Sequence, residues 1–132
     1  MTDFEYQIFV LTNEIRQRHN LAILVWSGVL ANVARAHSLD LATNNIFSHT
    51  GSNGSAPEQR LHRAHTTIRF AGENISGGRS NPAEAINDWM SSAGHRAVIL
   101  NVNAVYLGVG AAYAPTSRFK LYVTQVFGAS YS

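Results

Sequence analysis

Apolar residues near the start of the chain recur at helical spacing. Between residues 3 and 19 they lie three or four positions apart, which predicts an amphipathic helix with one face on the core. The apolar face consists of Phe4, Ile8, Leu11 and Ile15. The charged residues that we expect to face water are Glu5, Glu14, Arg16 and Arg18.

A second helical pattern follows over residues 27–44. Ser27 precedes the first apolar position and is the predicted N-cap, and the pair Asn44 and Asn45 marks the end of the helix. The apolar stripe of this segment contains His37. We interpret His37 as a hydrogen-bonded core histidine, because an imidazole on a buried face must satisfy its nitrogens.

Two stretches that contain proline predict shorter helices. In "SAPE", Ser55 and Glu58 have the spacing of a capping box, which predicts a helix over about 56–64. In "NPAE", Asn81 is the predicted cap of a helix with an apolar face. A further helical turn is predicted after Gly94.

Three segments have the composition of β-strands. They are residues 66–72, 106–114 and 118–128, and a short turn between the last two predicts a hairpin. Helices therefore dominate the first two thirds of the chain, and a hairpin closes it. The pattern predicts a single α+β domain over residues 1–132, with a small antiparallel sheet packed by helices.

Composition narrows the class of protein. The 132 residues are 45% hydrophobic and only 14% charged, so the surface relies on neutral polar residues, as is common outside the cell. The net charge of +2 comes from scattered basic residues, and we expect no nucleic-acid partner. The absence of cysteine excludes disulfides and thiol chemistry. No apolar run approaches the roughly 18 residues of a transmembrane helix. The first residues lack the positive charge of a signal peptide, which leaves a cytoplasmic location or a removed leader open.

Three short motifs carry the candidate chemistry. They are "FSHTG" with His49, "GENI" with Glu73 at the end of a predicted strand, and "GHR" with His95 at a helix start. Two imidazoles and a carboxylate are ligands that Zn²⁺ prefers, and the same groups can perform acid–base catalysis. The motifs are too far apart for a compact metal motif, so the alternative is that each histidine bonds only to nearby backbone.

The ordered set "FSH", "GENI", "GHR" and "TQVFG" resembles the CAP superfamily of cysteine-rich secretory, antigen-5 and pathogenesis-related proteins, in its short cysteine-free bacterial form. The resemblance covers residues 10–128. It implies an α-β-α sandwich with a large cleft, lined by two histidines and two glutamates, in which the histidines can hold a divalent metal. On these motifs the histidines are His49 and His95, and the first glutamate is Glu73.

The chain departs from the family at the second glutamate. In eukaryotic members that residue stands three positions after the tryptophan of the preceding helix, and three positions after Trp89 this chain has Ser92, as bacterial members commonly lack the acid. The expected site therefore has two histidines and one glutamate, with the fourth position open or filled by a hydroxyl. Asn74 and Gln125, which belong to the matching motifs, are expected to line the cleft and to orient the site or satisfy buried backbone.

Two further histidines lie close to His49 in the sequence. His62 and His65 are three positions apart on the predicted short helix, so they can share one face. Neighbouring arginines would repel a cation, and the family motif has no ligand there. We interpret these histidines as part of a solvated helix face.

These observations favour a monomeric binding module that acts outside the cell, in an extracellular or periplasmic location. Its ligand would be a peptide, a lipid or an envelope component, and its cofactor a divalent metal such as zinc. The alternative is a metal-dependent hydrolase with Glu73 as base. Catalytic zinc usually has three protein ligands, and a Glu73 that binds zinc cannot also act as base. A third possibility is that the three residues only hydrogen-bond to one another.

Overall fold

The chain folds into five helices and four strands within residues 1–130, which are the residues that this computed structural model describes. In chain order the elements are α1 (Asp3–Arg18), β1 (Val25–Trp26), α2 (Gly28–Asn44), α3 (Pro57–Arg63), β2 (Arg69–Gly77), α4 (Pro82–Met90), α5 (Ala93–Ile99), β3 (Tyr106–Tyr113) and β4 (Leu121–Ala129). This mixture confirms the predicted α+β class.

The four strands form one sheet in the order β1-β3-β4-β2. β4 pairs antiparallel with both β2 and β3, as the hairpin pattern predicts, whereas β1 pairs parallel with β3. The sequence analysis missed β1, because a strand of two residues is too short to show an alternating pattern. β2 forms one edge of the sheet.

Helices cover both faces of this sheet. On one face, Ile8 of α1 and Trp89 of α4 pack with alternate strand residues such as Val109 and Phe127. On the other face, Leu30 of α2 packs with Leu61 of α3 and with Val126. This α-β-α layering explains why β4 is buried along nearly its whole length although its sequence alternates.

Two glycines in β3 let α2 lie directly against the sheet. A Cβ atom on Gly108 would lie 2.1 Å from the backbone nitrogen of Ala31, and one on Gly110 would lie 2.2 Å from the backbone nitrogen of Arg35. These distances are far below van der Waals contact. The alternation of glycine with larger residues in β3 is therefore a packing feature of the helix–sheet interface.

Two charged residues of α1 are buried, against expectation. Glu5 accepts hydrogen bonds from the backbone N–H of Ala111 and from the guanidinium of Arg35. Arg16 donates to three backbone carbonyls, at Ala22, Ile99 and Asn101. The prediction that Glu5 and Arg16 face water was wrong, because both satisfy backbone groups that the core would otherwise leave unpaired.

Three of the predicted helix starts depend on a cap, and Ser27 caps α2 as predicted by accepting from the N–H of Leu30 at 3.1 Å. Asn81 caps α4 by accepting from the N–H of Ala83 at 2.9 Å, as predicted. The capping box of Ser55 and Glu58 was wrong: α3 begins at Pro57, and the N–H of Ala56 donates to the side chain of Gln59 at 2.8 Å. Ser55 therefore lies before the N-cap residue Ala56, and its backbone carbonyl accepts a hydrogen bond from the side chain of Arg60.

The strand that carries Glu73 is longer and later than predicted. The expected strand covered residues 66–72, whereas β2 runs from Arg69 to Gly77 and pairs with β4 through to Gly77 opposite Tyr122. Glu73 therefore lies in the middle of a strand and not at its end. The remaining sequence-predicted strands are shifted by only a few residues. Within the described residues, no helix combines the length and apolarity needed to cross a membrane.

Candidate functional site

His49 and Glu73 are in direct contact at the edge strand β2. Nδ1 of His49 lies 2.8 Å from Oε2 of Glu73. His49 comes from the loop between α2 and α3, and the middle of β2 supplies Glu73, opposite Val126 of β4. The structure thus brings together two of the three residues that the motifs select.

Arg60 of α3 completes this cluster. Its Nη2 lies 2.9 Å from Oε1 of Glu73, so each carboxylate oxygen of Glu73 has one partner. Its Nη1 donates to the backbone carbonyls of His49 and Ser55, each at 2.9 Å. Arg60 therefore fixes the loop as well as the carboxylate.

The sequence analysis missed Arg60, which it treated only as one of the arginines beside His62 and His65. A glutamate in the middle of a buried strand needs a cationic partner. The sequence analysis placed Glu73 at the end of its strand, where a carboxylate can face water. It therefore gave no reason to look for a cationic partner such as Arg60.

The three side chains of the cluster differ strongly in exposure. The Glu73 side chain is 2% exposed and that of Arg60 is 12% exposed, whereas that of His49 is 47% exposed. The imidazole is therefore the part of the cluster that meets solvent. The buried pair beneath it compensates its own charge, since an unpaired buried carboxylate would be costly.

The contact with Glu73 determines which nitrogen of the His49 ring carries the hydrogen. A carboxylate can only accept hydrogen bonds, so Nδ1 of His49 carries the hydrogen of this contact. In the neutral ring, Nε2 is then an acceptor with a free lone pair. A carboxylate that orients an imidazole in this way is the arrangement found behind metal-binding histidines.

Asn74 and Gln125 form a second polar layer behind the cluster. Asn74 lies opposite Gln125 in the β2–β4 ladder, and its Nδ2 donates to Oε1 of Gln125 at 2.9 Å. Nε2 of Gln125 donates to Thr12 in α1 at 3.2 Å. All three residues are fully buried. Both amides thus bond to buried groups and neither amide side chain reaches solvent, and their expected place in the lining of the cleft stays a prediction.

His95 is linked to this layer by its backbone. Nδ2 of Asn74 also donates to the carbonyl of His95 at 3.2 Å. Because successive side chains of a strand point to opposite faces, Asn74 and Glu73 lie on different sides of β2. α5 packs on the Asn74 side, where Val98 lies against Gly72. His95 is half-buried there.

The donor set does not make a three-residue metal centre. Within residues 1–130, no group of three or more His, Asp or Glu side chains is close enough to hold a metal ion. Both oxygens of Glu73 already have partners, which leaves Nε2 of His49 and the ring of His95 as candidate ligands. Ser92, at the position of the family's second glutamate, is the N-cap residue of α5 and is half-buried.

His62 and His65 are both exposed, as the solvated-face interpretation predicts. The expectation that they share one helix face was wrong. α3 ends at Arg63, and His65 has a left-handed backbone conformation with φ of 53°. His65 therefore lies in the turn that leads to β2.

His37 is a core histidine with one hydrogen bond, which confirms its interpretation. It is 1% exposed, and its Nε2 lies 2.9 Å from the carbonyl oxygen of Ser48. Burial lowers the pKa of His37 from its ordinary value; neighbouring Glu73 opposes this and Arg60 adds to it. His37 holds the residue just before His49, and so supports the loop of the site.

The fold and the cluster define the class of protein: an α-β-α sandwich that presents a buried Glu–Arg pair and an exposed imidazole at the edge of its sheet. The family model of CAP, the cysteine-rich secretory protein family, matches residues 9–127. This chain belongs to that family, and it does so without a cysteine.

Two proteins of Bacillus subtilis (strain 168) are similar in sequence. The uncharacterized membrane protein YlbC is 41% identical over 109 residues, which cover 83% of this chain and 32% of YlbC. The uncharacterized protein YkwD is 36% identical over 107 residues, which cover 81% of this chain and 42% of YkwD. The chain thus spans less than half the length of these relatives.

Solved structures agree with the fold. An extracellular protein containing a SCP domain from Bacillus anthracis str. Ames is 39% identical, with a TM-score of 0.81 over 94% of this chain and 40% of that chain. An outer surface protein from Borrelia burgdorferi has a TM-score of 0.87 at 21% identity, over 98% of this chain and 97% of that chain. The second likeness concerns the fold alone.

Proposed function

We propose that this CAP domain is a non-catalytic binding module that acts outside the cell and contacts its ligand through the His49 imidazole. The observation that carries the proposal is the state of Glu73. Both of its carboxylate oxygens have partners, and its side chain is 2% exposed. A general base must reach the proton that it removes. The buried carboxylate of Glu73 instead orients His49 and Arg60.

This arrangement supports binding over the alternative of a metal-dependent hydrolase. In that alternative Glu73 would take a proton from a water molecule in the cleft. The Glu73 side chain is only 2% exposed, and each of its oxygens already accepts one hydrogen bond, from His49 or from Arg60, so it is poorly placed to meet that water. Catalytic zinc also usually has three protein ligands, and the site offers two free imidazole groups at most.

The proposed place of action follows from sequence similarity. The Bacillus anthracis protein, which is 39% identical, is described as extracellular. The low content of charged residues agrees with such a setting. We propose an envelope component as the ligand, and a monomer as the binding form. Such a component could be a peptide or a lipid of the envelope. In each case we propose that the exposed imidazole of His49 contacts it.

A divalent metal ion, with zinc as the candidate, is a secondary part of the proposal. The hydrogen bond from Nδ1 of His49 to Glu73 is the type of contact that orients metal-binding histidines. The ion would be held by Nε2 of His49 and by His95, which approach it from the two sides of the edge strand β2 and would meet it around the free edge, with solvent in its other positions. Two protein ligands make a weak site, so the ion would assist ligand binding and would not stabilise the fold strongly.

Cosedimentation with intact Bacillus subtilis cells tests the proposal, because the chain resembles proteins of that organism. We expect saturable binding by the wild-type chain and at least a tenfold loss of affinity in His49→Ala. The matched control His65→Ala changes another exposed histidine and is expected to bind normally. Parallel samples with and without a chelator measure the contribution of a divalent ion.

A panel of peptide and ester substrates provides the opposing test. We expect the wild-type chain and Glu73→Gln to show the same background turnover. Turnover by the wild-type chain that Glu73→Gln abolishes would establish the hydrolase alternative. If His49→Ala and the wild-type chain bind cells equally well, His49 does not contact the ligand.

A further inference from the structure

Three neighbouring cavities form a groove along the side of α3 that carries Glu58 and His62. The middle cavity has a volume of about 330 Å³ and lies between α3 and the start of β2. It shares Glu58 and His62 with a cavity of about 400 Å³, and it shares Ile68 with a cavity of about 320 Å³ beside Tyr106. We term the three cavities together the α3 groove.

The register of the sheet places an apolar floor under this groove. Phe70 of β2 and Tyr106 of β3 both lie directly opposite Gly128 of β4, and residues in such a row point to the same face of a sheet. Ile68 lies over the row, since a Cβ atom on Gly128 would be 2.3 Å from its Cγ2. These three apolar side chains are half-buried and pack against the core cluster that contains Leu61. The floor therefore rests on the core and stays partly open to solvent.

The floor is longer than a single side chain. β4 separates the strands of Phe70 and Tyr106, and neighbouring strands lie about 4.8 Å apart, so the two residues are about 10 Å apart across the sheet. An extended peptide rises about 3.3 Å per residue. A peptide that contacts both ends of the floor therefore needs about three residues.

The rim of the groove carries more basic than acidic side chains. Glu58 is acidic, whereas His62, Arg63 and Arg69 are basic or can become so. All four are exposed, and none of them belongs to an ion pair among residues 1–130. Their charges are therefore available to a ligand. The positive excess favours an acidic ligand over a basic one.

Polar groups along the whole groove favour a peptide over an acyl chain. The lining includes the amide of Gln59 and the hydroxyls of Thr66, Thr67 and Ser130, so that each cavity contributes at least one of them. An acyl chain would cover these groups and give them no hydrogen bond in return, which is costly. The N–H and C=O groups of a peptide can bond to them. In peptide-binding grooves, main-chain hydrogen bonds provide affinity and apolar pockets provide specificity.

We propose that the α3 groove binds an extended acidic peptide. Apolar side chains of the peptide would lie on the floor, and its carboxylates would face Arg63 and Arg69 at the rim. None of His49, Glu73 or His95 lines the groove, so this site is separate from the proposed contact at His49 and does not depend on it.

Nuclear magnetic resonance of the 132-residue chain tests this site with synthetic peptides. The probe is acetyl-LELEL-amide, which combines apolar and acidic side chains. The control acetyl-LKLKL-amide reverses the charge, and acetyl-SESES-amide removes the apolar side chains. Octanoate serves as an acyl chain with one carboxylate. The backbone amide signals of residues 66–70 and of Tyr106 are followed at low ionic strength, where salt screens the rim charges least.

We expect acetyl-LELEL-amide to shift the groove signals saturably, with a Kd of about 1 mM or below. Both control peptides should bind at least tenfold more weakly, because each lacks one of the two features that the groove recognises. Octanoate should not saturate the same signals at concentrations where the probe does.

Arg69→Glu reverses one charge at the rim. Arg69 is exposed, so the fold should tolerate the change. We expect this variant to bind acetyl-LELEL-amide at least fivefold more weakly and acetyl-LKLKL-amide more tightly than the wild-type chain. Arg18→Glu is the matched control, because Arg18 is exposed on α1 and does not line the groove. His49→Ala should also bind the probe normally, which separates the two sites.

Four results would overturn the proposal. Equal binding of the probe and either control peptide would show that charge or the apolar floor does not select the ligand. Equal binding of the probe by Arg69→Glu and the wild-type chain would place the peptide elsewhere. Saturation by octanoate but not by the probe would identify an acyl-chain site. The absence of any saturable shift would mean that the groove does not bind peptides of this type.

Discussion

Nδ1 of His49 donates a hydrogen bond to Oε2 of Glu73 across 2.8 Å, and the other oxygen of Glu73 accepts from Arg60. This relationship makes Glu73 a positioning residue. Glu73 sets the tautomer of the exposed His49 ring, and the largely buried side chain of Arg60 holds Glu73 in place.

The first prediction concerns Glu73→Gln. The amide oxygen must face Arg60, because a guanidinium only donates, and the amide NH₂ then faces His49. We expect His49 to change from the Nδ1–H to the Nε2–H tautomer. Nitrogen NMR of the imidazole measures this change, and an unchanged tautomer would contradict the positioning role.

The second prediction concerns the stability of the same variant. Hydrogen bonds to charged groups contribute about 1.5–3 kcal/mol each, so Glu73→Gln should lower the free energy of unfolding by about 1–3 kcal/mol. Urea unfolding measures this. The control is Glu14→Gln, because Glu14 forms an exposed pair with Arg18 at 3.8 Å and such pairs contribute little. Equal losses in both variants would show that the Glu73–Arg60 pair is not specially stabilising.

The third prediction concerns zinc. If His49 and His95 hold the ion, a tenfold excess of zinc over its Kd adds about 1.4 kcal/mol of stability, which corresponds to a rise in Tm of about 3–6 °C. We expect the rise only at millimolar zinc, because two protein ligands bind weakly. His49→Ala/His95→Ala should abolish it and His62→Ala/His65→Ala should retain it. A wild-type Tm that zinc does not change would end the metal proposal.

Much of this fold could be predicted from local sequence signals. Ser27 and Asn81 cap their helices as their residue types and positions suggest, and the alternation before Ala129 reveals the closing hairpin. These features depend on residues that are near one another in the chain. The motif resemblance also selected the residues His49 and Glu73, which the structure places in contact.

The features that the sequence analysis missed depend on distant contacts. Arg16 looks like a surface residue of an amphipathic helix, but two of the three carbonyls that it satisfies, at Ile99 and Asn101, lie at the end of α5 and just beyond it. Arg60 looks like part of a basic helix face, but its partner is in the middle of β2. Local sequence patterns cannot predict such pairs, because the two partners are far apart in the chain and only the tertiary fold brings them into contact.

The fourth prediction concerns acid stability and His37. Burial depresses the pKa of this residue below its ordinary value of 6.5. Facing it, Arg60 lowers the pKa further, whereas Glu73 and Asp40 raise it. The unfolded chain therefore binds the proton more readily than the folded chain. Stability should fall as the pH drops below about 6.5, and it should keep falling until the folded-state pKa is reached.

His37→Gln should flatten this part of the stability profile, because glutamine does not titrate and can still donate to the Ser48 carbonyl. One proton contributes at most about 1.4 kcal/mol per pH unit to the slope. Chemical unfolding between pH 5 and 7, at about six pH values, measures the slope. The control His65→Gln also removes one histidine, at an exposed position. An unchanged slope in His37→Gln would show that another group controls this pH range.

The fifth prediction concerns Gly110, one of the two glycines of β3 at which α2 lies directly against the sheet. A Cβ atom there would lie 2.2 Å from the backbone nitrogen of Arg35, and backbone cannot move aside as a flexible side chain can. We expect Gly110→Ala to lower the free energy of unfolding by about 3 kcal/mol or more, since overpacking a core costs about 1–3 kcal/mol even where side chains can adjust. Gly94→Ala is the matched control, because a Cβ atom on Gly94 would have no neighbour within 4 Å. Gly94 lies within α5, so alanine there should be neutral or should stabilise the helix by about 0.5–1 kcal/mol. Urea unfolding of both variants measures the difference, and equal stability would mean that α2 and β3 are not in close contact at this position.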